Sequence, residues 1–151
     1  MNVSPGRRAV PDDARCPCLS GDAYGACCGR YHAALRTEPV GDTTGPYAPT
    51  AEALMRSRYS AFAVGDADYL LATWHPSTRP TTLELDDDLE WRRLDVVRVE
   101  AGGPFDATGV VEFVAHHRSR TGGPATRGRL HEESRFVRED GRWTYVNGDL
   151  R

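Results

Sequence analysis

From Thr50 onward the apolar and polar positions follow two periods in succession. Ala51, Leu54, Met55, Tyr59 and Phe62 recur at three- and four-residue spacing, which predicts a helix over 50–64. Thr50 suits its N-cap, Glu52 places negative charge in the first turn, and Gly65 supplies the stop. Asp66 can cap a second, shorter helix over 67–74, carrying Tyr69, Leu70, Leu71 and Trp74 and closed by His75-Pro76. After the acidic connection from Glu84 to Glu90 the period falls to two. Strands are predicted from Trp91 to Glu100, Val110 to Arg118, Gly128 to Arg138 and Arg142 to Asn147, separated by Gly102-Gly103-Pro104, Gly122-Gly123-Pro124 and Asp140-Gly141. In the first, Leu94 and Val96 take one face and Val97 and Val99 the other. In the second, Val111, Phe113 and Ala115 alternate with Glu112, Val114 and His116.

A two-residue turn at Asp140-Gly141 sets Arg138 opposite Trp143, Phe136 opposite Tyr145 and Ser134 opposite Asn147, on a face that Glu132 continues. His131, Glu133, Arg135 and Val137 take the other face with Thr144 and Val146. The first face holds the larger apolar set and is expected to point inward. Helices followed by strands in tight hairpins predict an α+β domain, with the helices covering one face of a curved antiparallel sheet.

The residues before Thr50 divide by composition. Residues 1–15 are polar and read as a flexible leader; residues 16–36 hold every cysteine; residues 37–48 are rich in Pro and Gly and read as a linker to a domain over 49–151. A chain of 151 residues is one ordinary domain with a small appendage. Its net charge of −3 argues against a general nucleic-acid binder. All 19 basic residues are arginine, which fits the codon bias of a GC-rich genome better than selection for anion recognition. No apolar run approaches the roughly 20 residues that cross a bilayer. No apolar stretch follows Arg7 and Arg8, so a cytoplasmic protein is expected.

The cysteines stand as C-x-C, then eight residues, then C-C: Cys16, Cys18, Cys27 and Cys28. Two close pairs across a turn at Ser20-Gly21 can supply the tetrahedron of thiolates that zinc prefers. So short a segment buries little apolar surface, and metal binding would then supply most of its folding free energy. Two disulfides or redox-active thiols are the alternatives. A reducing cytosol and the strain of bonding adjacent Cys27 and Cys28 disfavour disulfides, and no C-x-x-C lies beside a βαβ pattern. The expectation is one structural zinc per chain with no open coordination position. His32 is expected to be a surface residue of a short helix, not a ligand.

The segment from Cys16 to Gly29 resembles a SEC-C motif, a small zinc knuckle of many bacterial proteins. The run from Ala48 to Phe62, Asp68-Tyr69-Leu70, Thr73-Trp74-His75-Pro76, Glu133-Ser134-Arg135-Phe136 and Gly141-Arg142-Trp143 are similar to the bacterial YchJ family. The resemblance spans nearly the whole chain after residue 15. It implies a nuclear-transport-factor-2-like domain, a cone of helices over a strongly curved antiparallel sheet. Such motifs usually carry glycine where Leu19 stands and basic residues around Asp22 and Ala23, so the positive surface that would meet a partner is missing here.

Folds of this resemblance often enclose a cavity between helices and sheet. Arg56, Tyr59, Trp74, His75, Glu132, Ser134 and Tyr145 are the candidate pocket residues. Glu132 drawn inward needs pairing or protonation, and Arg56, Arg58 or His75 are its candidate partners. A buried ion pair is the plainer role for it, and a helix cap the plainer role for His75. His116 and His117 fall on opposite faces of a strand and cannot chelate together. The arginines flanking Gly122-Gly123-Pro124 and the acids Asp86 to Asp88 read as solvated loops. No nucleophile–base pair, phosphate loop or cofactor fingerprint points to an enzyme. The expected function is that of a non-enzymatic binding or adaptor protein, whose knuckle meets a protein or ribonucleoprotein partner. The alternative is a small-molecule carrier, sensor or small enzyme using the cone cavity.

Overall fold

The computed structural model describes residues 8–37, 46–121 and 126–151. Among them are three α-helices, α1 (Cys28–Thr37), α2 (Ala51–Val64) and α3 (Ala67–Ala72), followed by four strands, β1 (Leu89–Ala101), β2 (Thr108–Ser119), β3 (Arg127–Glu139) and β4 (Arg142–Leu150). The strands form one antiparallel sheet in sequence order. The α+β architecture expected from the change of period is therefore present.

The helix signals act as the sequence implies. Thr50 Oγ1 accepts the Ala53 amide at 3.0 Å, and Gly65 ends α2 in the left-handed conformation. Asp66 Oδ1 accepts the Tyr69 amide at 3.1 Å to start α3. That helix stops at Ala72, earlier than the expected 74, because the chain then pairs with β4. The Tyr145 amide donates to Thr73 O at 2.9 Å, and the His75 amide donates to Tyr145 O at 2.8 Å. This bridge is worth two backbone hydrogen bonds and positions Trp74 over the sheet.

Leu94, Val111, Phe113, Ala115, Phe136 and Trp143 from the sheet, with Leu54, Met55, Tyr59 and Leu70 from the helices, are buried in one core. Bulges alter two of the expected registers. In β1 the pairing skips between Val96 and Arg98, and Val99 pairs with Val111. The extra residue, Val97, returns Val99 to the face of Leu94 and Val96, not the opposite one. In β4 Phe136 still pairs with Tyr145, but Arg135 pairs with Asn147, so Ser134 lies opposite Gly148 instead of Asn147.

The Asp140-Gly141 turn has positive φ at both residues, 52° and 77°, as a tight hairpin requires. Asp88 is more than a solvated acid. Its carboxylate accepts from the hydroxyl of Ser119 and from the amide and hydroxyl of Thr121, tying the acidic connection to the end of β2.

The β1–β2 hairpin meets the start of α2 closely. Gly102 O accepts the Ala51 amide at 2.9 Å. Gly102 has φ +76°, and a Cβ there would lie 2.7 Å from the Ala51 Cβ. Gly102→Ala therefore combines left-handed strain with overpacking against a buried residue. It is expected to cost about 2–3 kcal/mol in urea denaturation.

The outer sheet face carries a charge lattice. His131 Nε2 lies 2.6 Å from Glu112 Oε2, Arg98 lies 3.5 Å from Glu112 and 3.3 Å from Glu133, and Arg135 lies 2.9 Å from Asp149. The hydrogen bond from His131 holds the Glu112 carboxyl below its ordinary range, as those from Arg151 and Arg135 do for Glu133 and Asp149. A depressed folded value means stability that is present above the unfolded value, near 4.5 for Glu, and lost as pH falls through the folded one. Acid unfolding should begin below that pH. Because Asp149 is exposed and Glu112 and Glu133 are partly so, the acid loss should be smaller in high salt.

Candidate metal centre and ligand cavity

The knuckle is built by a short hairpin and a helix start. The Cys16 amide donates to Asp22 O at 3.0 Å, the Leu19 amide to Cys16 O at 3.0 Å and the Tyr24 amide to Ala14 O at 2.7 Å. Leu19 takes the left-handed conformation, φ 63°, where this turn admits glycine more readily. A 3-10 turn over Tyr24–Ala26 leads into α1, and Cys27 and Cys28 stand at that helix start, where the dipole favours thiolates.

The four sulfurs lie within 4.8 Å of one another. Cys18 Sγ is 3.7 Å from Cys27 Sγ, and Cys27 Sγ is 4.0 Å from Cys28 Sγ. These separations are far from a disulfide, and all four cysteines are free. A tetrahedron of sulfurs 2.3 Å from one ion has edges of about 3.8 Å, so the donor set fits a metal closely. Hydrogen bonds from Cys18 and Cys28 lower the Cys16 pKa to about 3, while the neighbouring sulfurs and burial raise that of Cys28. A metal takes its place among such sulfurs as the thiols ionise.

The knuckle is not a separate appendage. The stretch read as a leader is hydrogen-bonded from Arg8, whose amide donates to Val64 O at 2.7 Å; residues 1–7 of it, and residues 38–45 of the linker expected over 37–48, lie outside the described residues. His32 is fully buried, not a surface residue. Its Nδ1 lies 2.6 Å from the Tyr24 hydroxyl and its Nε2 2.8 Å from Ser57 O. A carbonyl only accepts, so Nε2 carries a proton and the ring joins knuckle to α2. Arg56 donates to Cys18 O at 3.2 Å, and Cys16 Sγ lies 3.7 Å from Ser60 Oγ. Thus α2 is enclosed on two sides. Its Arg56, Ser57 and Ser60 meet the knuckle, and its Met55, Arg58, Tyr59 and Phe62 face the sheet.

On the sheet side lies a cavity of about 240 Å³. Tyr59, Trp74, Glu132, Ser134 and Tyr145 line it, together with Arg58, Phe62, Trp91, Phe113 and Phe136, which were not among the expected set. Arg56 and His75 lie elsewhere. Arg56 is two residues from Arg58, which rotates it about 200° around the helix, toward the knuckle; it pairs there with Glu52 at 2.9 Å. His75 is carried outward by the Tyr145 bridge, with Nε2 2.6 Å from Glu139 Oε1 and Nδ1 2.7 Å from Ser77 Oγ. It neither caps α3 nor reaches Glu132. The Ser77–His75–Glu139 order resembles a hydrolytic relay, but the Ser77 amide donates back to His75 Nδ1 at 3.1 Å. That amide is spent on closing the turn and is not aimed at a developing oxyanion.

Arg58 is 6% exposed. Its NH1 donates to Leu70 O and Thr73 Oγ1, both at 2.7 Å, and the guanidinium lies 4.7 Å from the Tyr145 ring and 5.2 Å from the Trp74 ring. Burial lowers its pKa to about 10, with Glu132 among the groups opposing that shift. Glu132 Oε2 accepts from Ser134 Oγ at 2.7 Å. Its hydrogen-bonding partner is thus a serine two residues along its own strand and not one of the expected cations. Arg58, among the candidate partners of Glu132, shares helical spacing with Met55 and Phe62, which places it on the same inward face.

Residues 50–148 match the family model described as YchJ, middle NTF2-like domain, and residues 14–30 match the SEC-C motif. The chain is similar to UPF0225 protein CE1570 of Corynebacterium efficiens, 52% identical over 138 residues that cover 91% of this chain and 95% of that protein. A UPF0225 protein of Chromobacterium violaceum is 58% identical over 138 residues, covering 89% of this chain and 92% of its own. Two solved structures share the fold. The solution structure of RPA3114, a SEC-C motif containing protein from Rhodopseudomonas palustris, has 34% identity and a TM-score of 0.69, covering 91% of this chain and 99% of that one. The crystal structure of a SEC-C motif containing protein from Psychrobacter arcticus has 25% identity and a TM-score of 0.70, covering 93% and 84%.

Proposed function

We propose, for a chain that belongs to the YchJ family and carries both its middle NTF2-like domain and the SEC-C motif, a non-enzymatic binding role in which a zinc-stapled knuckle braces a small-molecule cavity. The observation that carries this reading is the cavity itself: an apolar space of about 240 Å³ with one buried cation and one carboxylate in its walls. Sites of this kind bind small molecules through apolar walls and a few placed polar groups.

Zinc is the ion proposed because four thiolates, with no carboxylate or water position, suit a borderline-soft ion of tetrahedral preference. Four protein ligands leave no site for substrate, so the metal is structural, one per chain. Free thiols of this kind fit a reducing cytoplasm. The outer turn from Leu19 to Asp22 is the part of the knuckle left for a partner, with Leu19 45% exposed. Its lack of basic residues favours a protein over a ribonucleoprotein there.

Native mass spectrometry of the protein as purified tests the reading. One zinc per chain, lost on acid treatment, is expected together with a retained small molecule or uptake of an added one. Absence of metal with all thiols titrating freely would overturn the zinc assignment. Failure of any small aromatic probe to perturb cavity residues would overturn the ligand role.

A further inference from the structure

The walls of the cavity are specific about what they would hold. Tyr59, Phe62, Trp91, Phe113, Phe136 and Tyr145 surround it with rings. Tyr59 and Trp91 meet edge to face at 6.2 Å between centroids, as Phe136 and Tyr145 do at 5.9 Å, so a flat molecule meets ring faces and edges of favourable geometry. The volume falls below the roughly 300–1,000 Å³ of drug-sized sites, which limits the occupant to one or two fused rings.

The polar groups narrow the class further. Arg58 comes from the helix wall and Glu132 from the sheet wall, within electrostatic reach of each other. A ligand carrying a full charge would be attracted by one and repelled by the other, so the pair favours a neutral occupant. Glu132 has Oε2 engaged by Ser134, and a carboxylate has acceptor capacity beyond one hydrogen bond. The Tyr59 hydroxyl and the Trp74 indole nitrogen, both in lining residues, are buried without a hydrogen-bond partner. Buried groups of that kind ordinarily find one.

The carboxylate is also held in place by an unusual neighbour. The bulge in β4 brings Gly148 opposite Ser134. A Cβ on Gly148 would stand 2.8 Å from Glu132 Cδ and 2.9 Å from Oε1. The carboxylate therefore lies on bare backbone. Any side chain at 148 would push it away, at little cost to the fold because the displaced atoms end a flexible side chain.

We infer that the cavity selects a neutral, flat heteroaromatic molecule of one or two fused rings, held by its N–H on the Glu132 carboxylate, with Gly148 as the residue that positions that carboxylate. This rests on the ligand-binding reading above. Indazole and benzothiophene are the probes: two fused rings of similar size, neutral, the first with an N–H and a ring nitrogen acceptor, the second with neither. Their binding to the full-length, metal-loaded protein is followed by amide shifts in ¹⁵N spectra.

Indazole is expected to shift the Phe113, Glu132 and Ser134 amides in a saturable way and to bind about ten-fold tighter than benzothiophene, the value of one hydrogen bond to a charged group. In Gly148→Ala and Glu132→Leu, each checked for an unchanged fold by its dispersed spectrum, the ratio is expected to fall to about one. A structural role alone would weaken both probes equally and leave the ratio intact. If both probes bind the wild type equally, the heteroaromatic class is wrong while the cavity remains a binding site. If neither binds, the ligand-binding reading itself fails.

Discussion

Cys28→Ser is expected to abolish metal retention and to lower the thermal midpoint by about 10–20 °C, the counterpart of roughly 5 kcal/mol in a chain of this size. Cys28 is 1% exposed and opens α1. Serine offers a hard hydroxyl in place of a thiolate, and the three remaining sulfurs no longer close the tetrahedron that retains the ion. The free energy of structural zinc binding, on the order of 10 kcal/mol in small knuckles, is also folding free energy.

The loss does not stay local. Tyr24, Tyr31 and the cysteines share one buried cluster with Leu54, Tyr69 and Phe136. His32 and Arg56 carry the knuckle's hydrogen bonds onto α2, so loosening the knuckle exposes the helix that also forms the cavity wall. A chelator added to the wild type should reproduce the shift, and Cys28→Ser should be insensitive to it. Calorimetry with and without chelator checks this. An unchanged midpoint in both would mean that packing alone maintains the knuckle.

Much of this arrangement was legible in the sequence because it depends on local signals. Thr50, Gly65 and Asp66 act within one turn of where they stand, and Asp140-Gly141 needs only its own backbone conformation. The cysteine spacing likewise anticipates a cluster that closes over a short loop. What was hidden depends on contacts distant in sequence. His32 looked superficial because α1 is short and polar, yet it is buried by Ser57, 25 residues away. The bulges at Val97 and beside Tyr145 leave no residue-type signature, and each shifts every later pair in its strand.

Helix α2 is the clearest case. Its apolar positions predicted one buried face, but Ser57 and Ser60 are also fully buried, under the knuckle. Periodicity reports where a helix meets apolar neighbours and is silent about a polar neighbour that satisfies it by hydrogen bonds. The same blindness put Arg56 and His75 in the expected pocket and admitted Arg58 only as one of three candidate partners for Glu132.

Arg58→Ala should destabilise the protein by about 3–4 kcal/mol, the range for removing a buried, hydrogen-bonded cation and leaving a space behind. The guanidinium fastens α2 to the end of α3, where Leu70 O receives it at 2.7 Å. Thr73 Oγ1, also at 2.7 Å, belongs to the residue that begins the bridge to Tyr145. Losing Arg58 therefore weakens the connection that holds Trp74 over the cavity. Arg58→Met fills most of the space without the charge, and its cost should be smaller, about 2 kcal/mol, because only the charge-assisted hydrogen bonds are lost.

The sign of the pH dependence follows from the shift. A folded pKa of about 10, below the ordinary value for arginine, means that the unfolded chain binds more protons between the two, so this group's contribution rises with pH only above 10. Between pH 7 and 9 the difference between wild type and Arg58→Met should be flat. Combining Arg58→Met with Glu132→Gln tests the electrostatic link across the cavity. If Arg58 and Glu132 stabilise each other, the double variant loses less than the sum of the single ones; strict additivity would mean that each charge is satisfied on its own wall.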